Sequence, residues 1–85
     1  MAKHDSIQTS LTVLADLLRL ERENQGISMN RLAEKSGLSQ STISLIENKK
    51  RIPGMDVYLR ITTALNLNPA DLIEKAVSHG KGEDI

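Results

Sequence analysis

Apolar residues recur along this chain at helical spacing. Ile7, Leu11, Leu14 and Leu18 follow one another at steps of four and three, one face of a helix predicted over residues 7–25 and ended by Gly26. Residues 28–52 divide at Gly37 into two short helical segments. Gly37 is the residue type that closes a helix in the left-handed conformation, and Ser39 offers a side-chain oxygen to cap the next helix. After the Pro53-Gly54 break, Val57, Ile61, Ala64 and Leu65 mark a fourth helix ending near Asn66. Asn68-Pro69 pairs a capping side chain with a ring pre-set for a first helical position, and so starts a fifth helix carrying Leu72, Ile73, Ala76 and Val77. The predicted fold class is all-α. Residues 7–78 form one domain between a flexible N-terminal arm (1–6) and a flexible C-terminal tail (79–85).

The two middle segments have the pattern of a helix-turn-helix. Small Ala33 allows close approach, while Leu32, Leu38, Ile43 and Ile46 supply contacts between the helices. With Thr42, Ile43 and Ile46 turned inward at about 100° per residue, Gln40, Ser41, Ser44, Leu45 and Asn48 fall on the outer face. That face is almost uncharged and rich in hydrogen-bonding groups. A merely solvated helix more often carries Lys and Glu there, so a groove-reading face competes well with an ordinary helical hairpin.

Charge sharpens this picture. Eleven basic and eleven acidic residues cancel over the 85 residues, which is unusual for a chain that binds phosphate. They are not evenly spread: residues 28–60 hold six Lys or Arg against three Asp or Glu, and both flanking segments are net acidic. Lys49, Lys50 and Arg51 follow the second motif helix directly, where they can grip phosphate.

From about Leu14 to Ile73 the chain resembles the Cro and repressor family of helix-turn-helix regulators, also called the XRE family. The resemblance rests on Arg22, Leu32-Ala33, Gly37, Ser39-Gln40-Ser41-Thr42-Ile43, Ile46-Glu47-Asn48, Pro53, Ala64-Leu65 and Asp71-Leu72. It implies a compact five-helix, lambda-repressor-like domain whose second and third helices form the motif. It also implies a structural pair between Arg22, late in the first helix, and Glu47, at the end of the reading helix. Departures are Glu21 and Ser36 at usually apolar positions, Met29 for a frequent Gln and Asn66 for a frequent Gly.

The resemblance and the side-chain chemistry together give site expectations. Gln40, Ser41, Ser44 and Leu45 are the candidates for base reading: Gln bonds adenine in two places, Ser bonds a base edge or phosphate, and Leu meets a thymine methyl. Thr42, Asn48, Lys49, Lys50 and Arg51 are the phosphate candidates. Residues 39–47 contain no Arg or Lys, the usual readers of guanine, so direct contacts should favour A·T pairs. Family members usually bind a palindromic operator as homodimers, and two surfaces compete for that contact here. One is Tyr58, Leu67, Leu72, Ile73 and Val77; the other is a first-helix stripe of Val13, Leu17 and Leu20, which serves equally well as extra core.

The expected function is sequence-specific binding of double-stranded DNA by a dimeric regulator, most simply a repressor. Antitoxins and restriction-modification controllers share the fold, and a protein-interaction module on the same scaffold, with a toxin among its conceivable partners, is the rival from another class. Catalysis has little support: His4 and His79 lie near the ends without metal-ligating spacing, and Ser36, Ser39, Ser41 and Ser44 suit caps and a groove-facing helix better than a nucleophile. The glycines match no phosphate loop, so no cofactor, metal or catalytic residue is expected. Absence of Cys fits a reducing cytoplasm, and no apolar run approaches the roughly 20 residues of a membrane span.

Overall fold

The computed structural model describes residues 3–83, with side chains over residues 6–79. Residues 1, 2, 84 and 85, parts of the expected arm and tail, lie outside that range. Five helices follow in order: α1 (Lys3–Asn24), α2 (Met29–Ser36), α3 (Gln40–Glu47), α4 (Met55–Ala64) and α5 (Pro69–Glu83). The fold is all-α, with no strand among the described residues. The two outer helices are longer than the apolar pattern alone indicates: α1 begins at Lys3, before the expected start at residue 7, and α5 continues to Glu83.

Four helices end in the same hydrogen-bonded reversal, each at a residue with positive φ. After α2, Gly37 (φ 73°) donates to Glu34 and Leu38 donates to Ala33 (2.9 Å). Gly26 after α1, Lys49 after α3 and Asn66 after α4 repeat the arrangement. Such a turn satisfies carbonyls that a helix end leaves orphaned. Glycine enters it without strain, and Asn66 tolerates it, explaining why Asn stands where relatives often have Gly. Lys49, at φ 63°, is the costly member. At the other ends, Ser28 and Ser39 accept from the backbone N–H of Arg31 and Thr42, and Asn68 caps α5 through Ala70 and Asp71.

The core draws on all five helices: Leu18, Leu32, Ala33, Ile43, Ile46, Tyr58, Ile61, Leu65 and Leu72 close over one another. The buried hydroxyls of Ser36 and Thr62 are satisfied locally. The Ser36 hydroxyl donates to the carbonyl of Leu32 (2.7 Å), and that of Thr62 to the carbonyl of Tyr58 (3.1 Å). The Ser36 departure therefore costs the fold no unpaired hydroxyl. Met29 and Leu38 pack half-buried against the core.

One core expectation fails. Ile7 is 60% exposed, whereas Leu11 and Leu14 of the same stripe are half-buried and Leu18 is buried. Val13 and Leu17 are half-buried, Leu17 against the core, whereas Leu20 stays exposed. The α1–α5 interface is the largest between any two helices. Gln25 adds a tie that the sequence did not announce: its Nε2 donates to the carbonyl of Leu65 (2.7 Å), joining the ends of α1 and α4.

Candidate nucleic-acid interface

Helix α3 has an inner side anchored in the core and an outer side open to solvent. Ile43 and Ile46 are buried beneath it; Gln40, Ser41 and Asn48 are exposed, Ser44 is half-buried and Leu45 is 41% exposed. All four base-reading candidates are thus accessible on one eight-residue helix. Their neighbours pre-set the chemistry. Asn48 Nδ2 donates both to the Ser44 carbonyl (2.9 Å) and to Ser44 Oγ (3.2 Å), leaving the Ser44 proton to be offered outward. Ser44 is therefore prepared as a donor. Thr42 is half-buried and shares a hydrogen bond between its Oγ1 and Ser39 Oγ (2.9 Å), so its hydroxyl is already engaged within the turn.

The end of α3 is fixed by a buried ion pair. Arg22 donates through Nε to Glu47 Oε2 (2.7 Å) and through a terminal nitrogen to Oε1 (3.0 Å). Its other terminal nitrogen donates to the Ile27 carbonyl (2.8 Å). The fork thus bonds α3 and the turn leading into α2 at once. The hydrogen bond to Glu47 is the main influence holding the Arg22 pKa above the ordinary arginine value. A planar guanidinium meeting a carboxylate in two places restricts rotation as well as distance, so α3 is held in orientation against α1.

Beyond α3 the basic residues part ways. Lys49 reaches back to α1 and pairs with Asp16 (2.7 Å). Lys50 and Arg51 are exposed, and none of the described ion pairs involves them. Asp16 is a site neighbour that sequence reasoning missed; 33 positions from Lys49, it looks like any acid on a solvated helix face. Arg60 was also missed: its guanidinium lies over Gly37, 3.5 Å from where a Cβ would stand.

The expected dimer residues do not share one surface. Tyr58 is 3% and Leu72 4% exposed, so both belong to the core of the single chain and are withdrawn as surface contacts. Tyr58 donates its hydroxyl to the Pro69 carbonyl (2.6 Å), and burial pushes its pKa above the ordinary tyrosine value. Its ring and hydroxyl close the α4–α5 junction. Leu67 is half-buried against the same core, while Ile73 and Val77 remain exposed. A second exposed apolar set, Ile52, Met55 and Leu59, lies at helical spacing on and just before α4 and was not anticipated. Among the described residues there is no cluster of His, Cys, Asp or Glu able to hold a metal ion, and no helix long and apolar enough to cross a membrane.

Known proteins share this arrangement. Residues 18–72 match the helix-turn-helix family. Over 59 residues, 69% of this chain, the sequence is 37% identical to an uncharacterized HTH-type transcriptional regulator of Mycobacterium tuberculosis and 34% identical to the antitoxin HipB of Escherichia coli K12. The aligned part covers 42% of the mycobacterial protein and 67% of HipB, so the chain spans about two-fifths of the former's length. The crystal structure of the restriction-modification controller C.AhdI from Aeromonas hydrophila superposes with a TM-score of 0.69 at 32% identity, over 73% of this chain and 94% of that one. Fold, motif and sequence agree: the chain belongs to the helix-turn-helix family of the Cro and repressor type.

Proposed function

We propose that this protein binds double-stranded DNA sequence-specifically through the outer face of α3 and regulates transcription, most simply as a repressor. The observation that carries the reading is the outer side of α3, with exposed Gln40, Ser41 and Leu45 and half-buried Ser44, followed by exposed Lys50 and Arg51, on a helix fixed by Arg22–Glu47. Uncharged donors and acceptors suit base edges, and the unpaired cations suit the phosphates beside them. In this role the protein works in the cytoplasm on residues 7–78 and needs no cofactor or catalytic step.

Dimerisation belongs to the same proposal. One domain contacts a short stretch of duplex, and two domains on a palindrome read half-sites about 34 Å apart. Accessible apolar residues for that contact are Met55 and Leu59 on α4 and Ile73 and Val77 on α5. A second reading is favoured by the likeness to the antitoxin HipB: the same apolar positions would then receive a toxin protein.

Equilibrium binding of the full chain to mixed-sequence duplex, measured across salt concentrations, tests the proposal. The logarithm of the affinity should fall linearly with that of salt, by about 0.9 for each phosphate contacted, and a Lys50→Gln/Arg51→Gln variant should lose about two contacts from the slope. Weak, salt-independent binding would instead support a protein-interaction module.

A further inference from the structure

A cavity of about 300 Å³ lies between the first half of α1 and the loop following α3. Leu11, Leu14, Ala15 and Leu18 of α1 and Ile46 of α3 make its floor, with Ile52 and Pro53 opposite. Its exposed lining is different in character: Lys50 and Arg51 from the loop, Gln8 and Thr12 from α1. Lys49 also borders it but is already neutralised by Asp16, so the uncompensated charge at the mouth comes from Lys50 and Arg51.

Such a site selects its occupant by two properties. A bare inorganic anion would satisfy the rim and leave the apolar floor unfilled; a neutral hydrocarbon would do the reverse. Only a molecule with both an apolar body and an anionic head uses the whole surface, and the volume lies at the lower end of the range for small-molecule sites, roughly 300–1,000 Å³. Most of the α1 wall, Gln8 to Ala15, precedes residue 18, where the family match begins. One wall of the cavity thus comes largely from a part of α1 outside the family's matched domain, and the opposite wall from within it.

We propose that this cavity binds a small amphipathic anion, a compact ring system or short alkyl chain bearing a carboxylate, and that the bound molecule competes with DNA for Lys50 and Arg51. The competition rests on the DNA-binding reading; the site itself does not. If one group of cations serves both ligands, each must weaken the other by the same factor.

The test is titration of the isotopically labelled full chain with 2-naphthoate, followed by NMR, first without DNA. Saturable shifts confined to residues 8–18 and 46–53 are expected. The neutral 2-naphthol should bind more weakly by about tenfold, a loss of about 1.4 kcal/mol, and inorganic phosphate should leave the floor residues unmoved. Thr12→Trp, or Gln8→Trp if that variant folds poorly, plugs the mouth and should remove naphthoate binding while keeping DNA affinity within about twofold. In the wild type, naphthoate should lower DNA affinity; in the plugged variant it should not. No saturable binding at millimolar naphthoate, equal binding of naphthol, shifts elsewhere in the chain, or conversion of a dimer to a monomer by the plug would each overturn the site. The last result would show that a second copy covers the cavity. DNA affinity unchanged with the cavity filled would overturn the competition, whereas failure of the wild type to bind DNA at all counts against the reading of the preceding section alone.

Discussion

Two ion pairs tie the end of α3 to α1, and they differ in almost every physical respect. Arg22–Glu47 is buried, bidentate and backed by a third hydrogen bond to Ile27. Asp16–Lys49 is a single contact between half-exposed side chains, made by a lysine in a left-handed backbone conformation. The first has lost its water and must keep its partner, since Glu47 left alone there would be buried and uncompensated. The second remains hydrated and screened by salt, so a phosphate can replace Asp16 at little cost. One pair sets the orientation of the reading helix; the other holds a cation ready beside it.

Removing Arg22 should have the largest effect. Arg22→Ala leaves Glu47 buried without a counter-charge and should cost about 3–5 kcal/mol. In a chain of this size each 1 kcal/mol lowers the melting temperature by roughly 4–8 °C, so a thermal scan should show a fall of about 12 °C or more. DNA affinity should fall with it. An unchanged melting temperature would remove the distinction between the two pairs.

Lys49→Gly separates backbone from charge at the other pair. Glycine relieves the left-handed conformation, a gain of up to about 1 kcal/mol, against loss of an exposed ion pair contributing about 0–1 kcal/mol. The net expectation in chemical denaturation is equal or slightly higher stability, with the salt dependence of DNA binding reduced by one phosphate contact. Lower stability by several kcal/mol would mean that Lys49, too, is structural.

Asp16→Asn should have the smallest effect on stability, within about 1 kcal/mol. Its signature is in binding: with no Asp16 to displace, Lys49 meets its phosphate without competition, so DNA affinity should rise while the salt slope stays about the same. A drop in affinity would instead assign Asp16 a positioning role that Lys49 cannot do without.

What the sequence disclosed follows the same division between local and distant causes. Gly26, Gly37, Ser39 and Asn68-Pro69 act within one turn of themselves, and the boundaries they signal appear in the structure close to where the pattern puts them. The inner and outer faces of α3 likewise follow from a three- to four-residue period. Arg22 and Glu47, though 25 positions apart, were within reach only because the family resemblance supplied the pairing. Asp16–Lys49 and Gln25–Leu65 had no such help: they depend on where α1 lies across the other helices, which no local pattern encodes. Ile7 shows the complementary error, a fitting apolar position at the end of a stripe, one step beyond the part of α1 that the core covers. Tyr58 and Leu72 were offered as surface residues because periodicity marks an apolar face without saying what covers it; α4 and α5 cover each other there.

The central claim is that the outer face of α3 reads DNA without a guanine-seeking cation. Selection of binding sites from random duplex DNA, by the wild-type chain and by Gln40→Ala in parallel, tests it most directly. The wild type should enrich half-sites with A·T pairs opposite Gln40 and Leu45, and Gln40→Ala should relax the preference at one pair per half-site, by about 1–3 kcal/mol of discrimination. Half-sites fixed as G·C at those pairs, or a selected sequence that Gln40→Ala leaves unaltered, would contradict it.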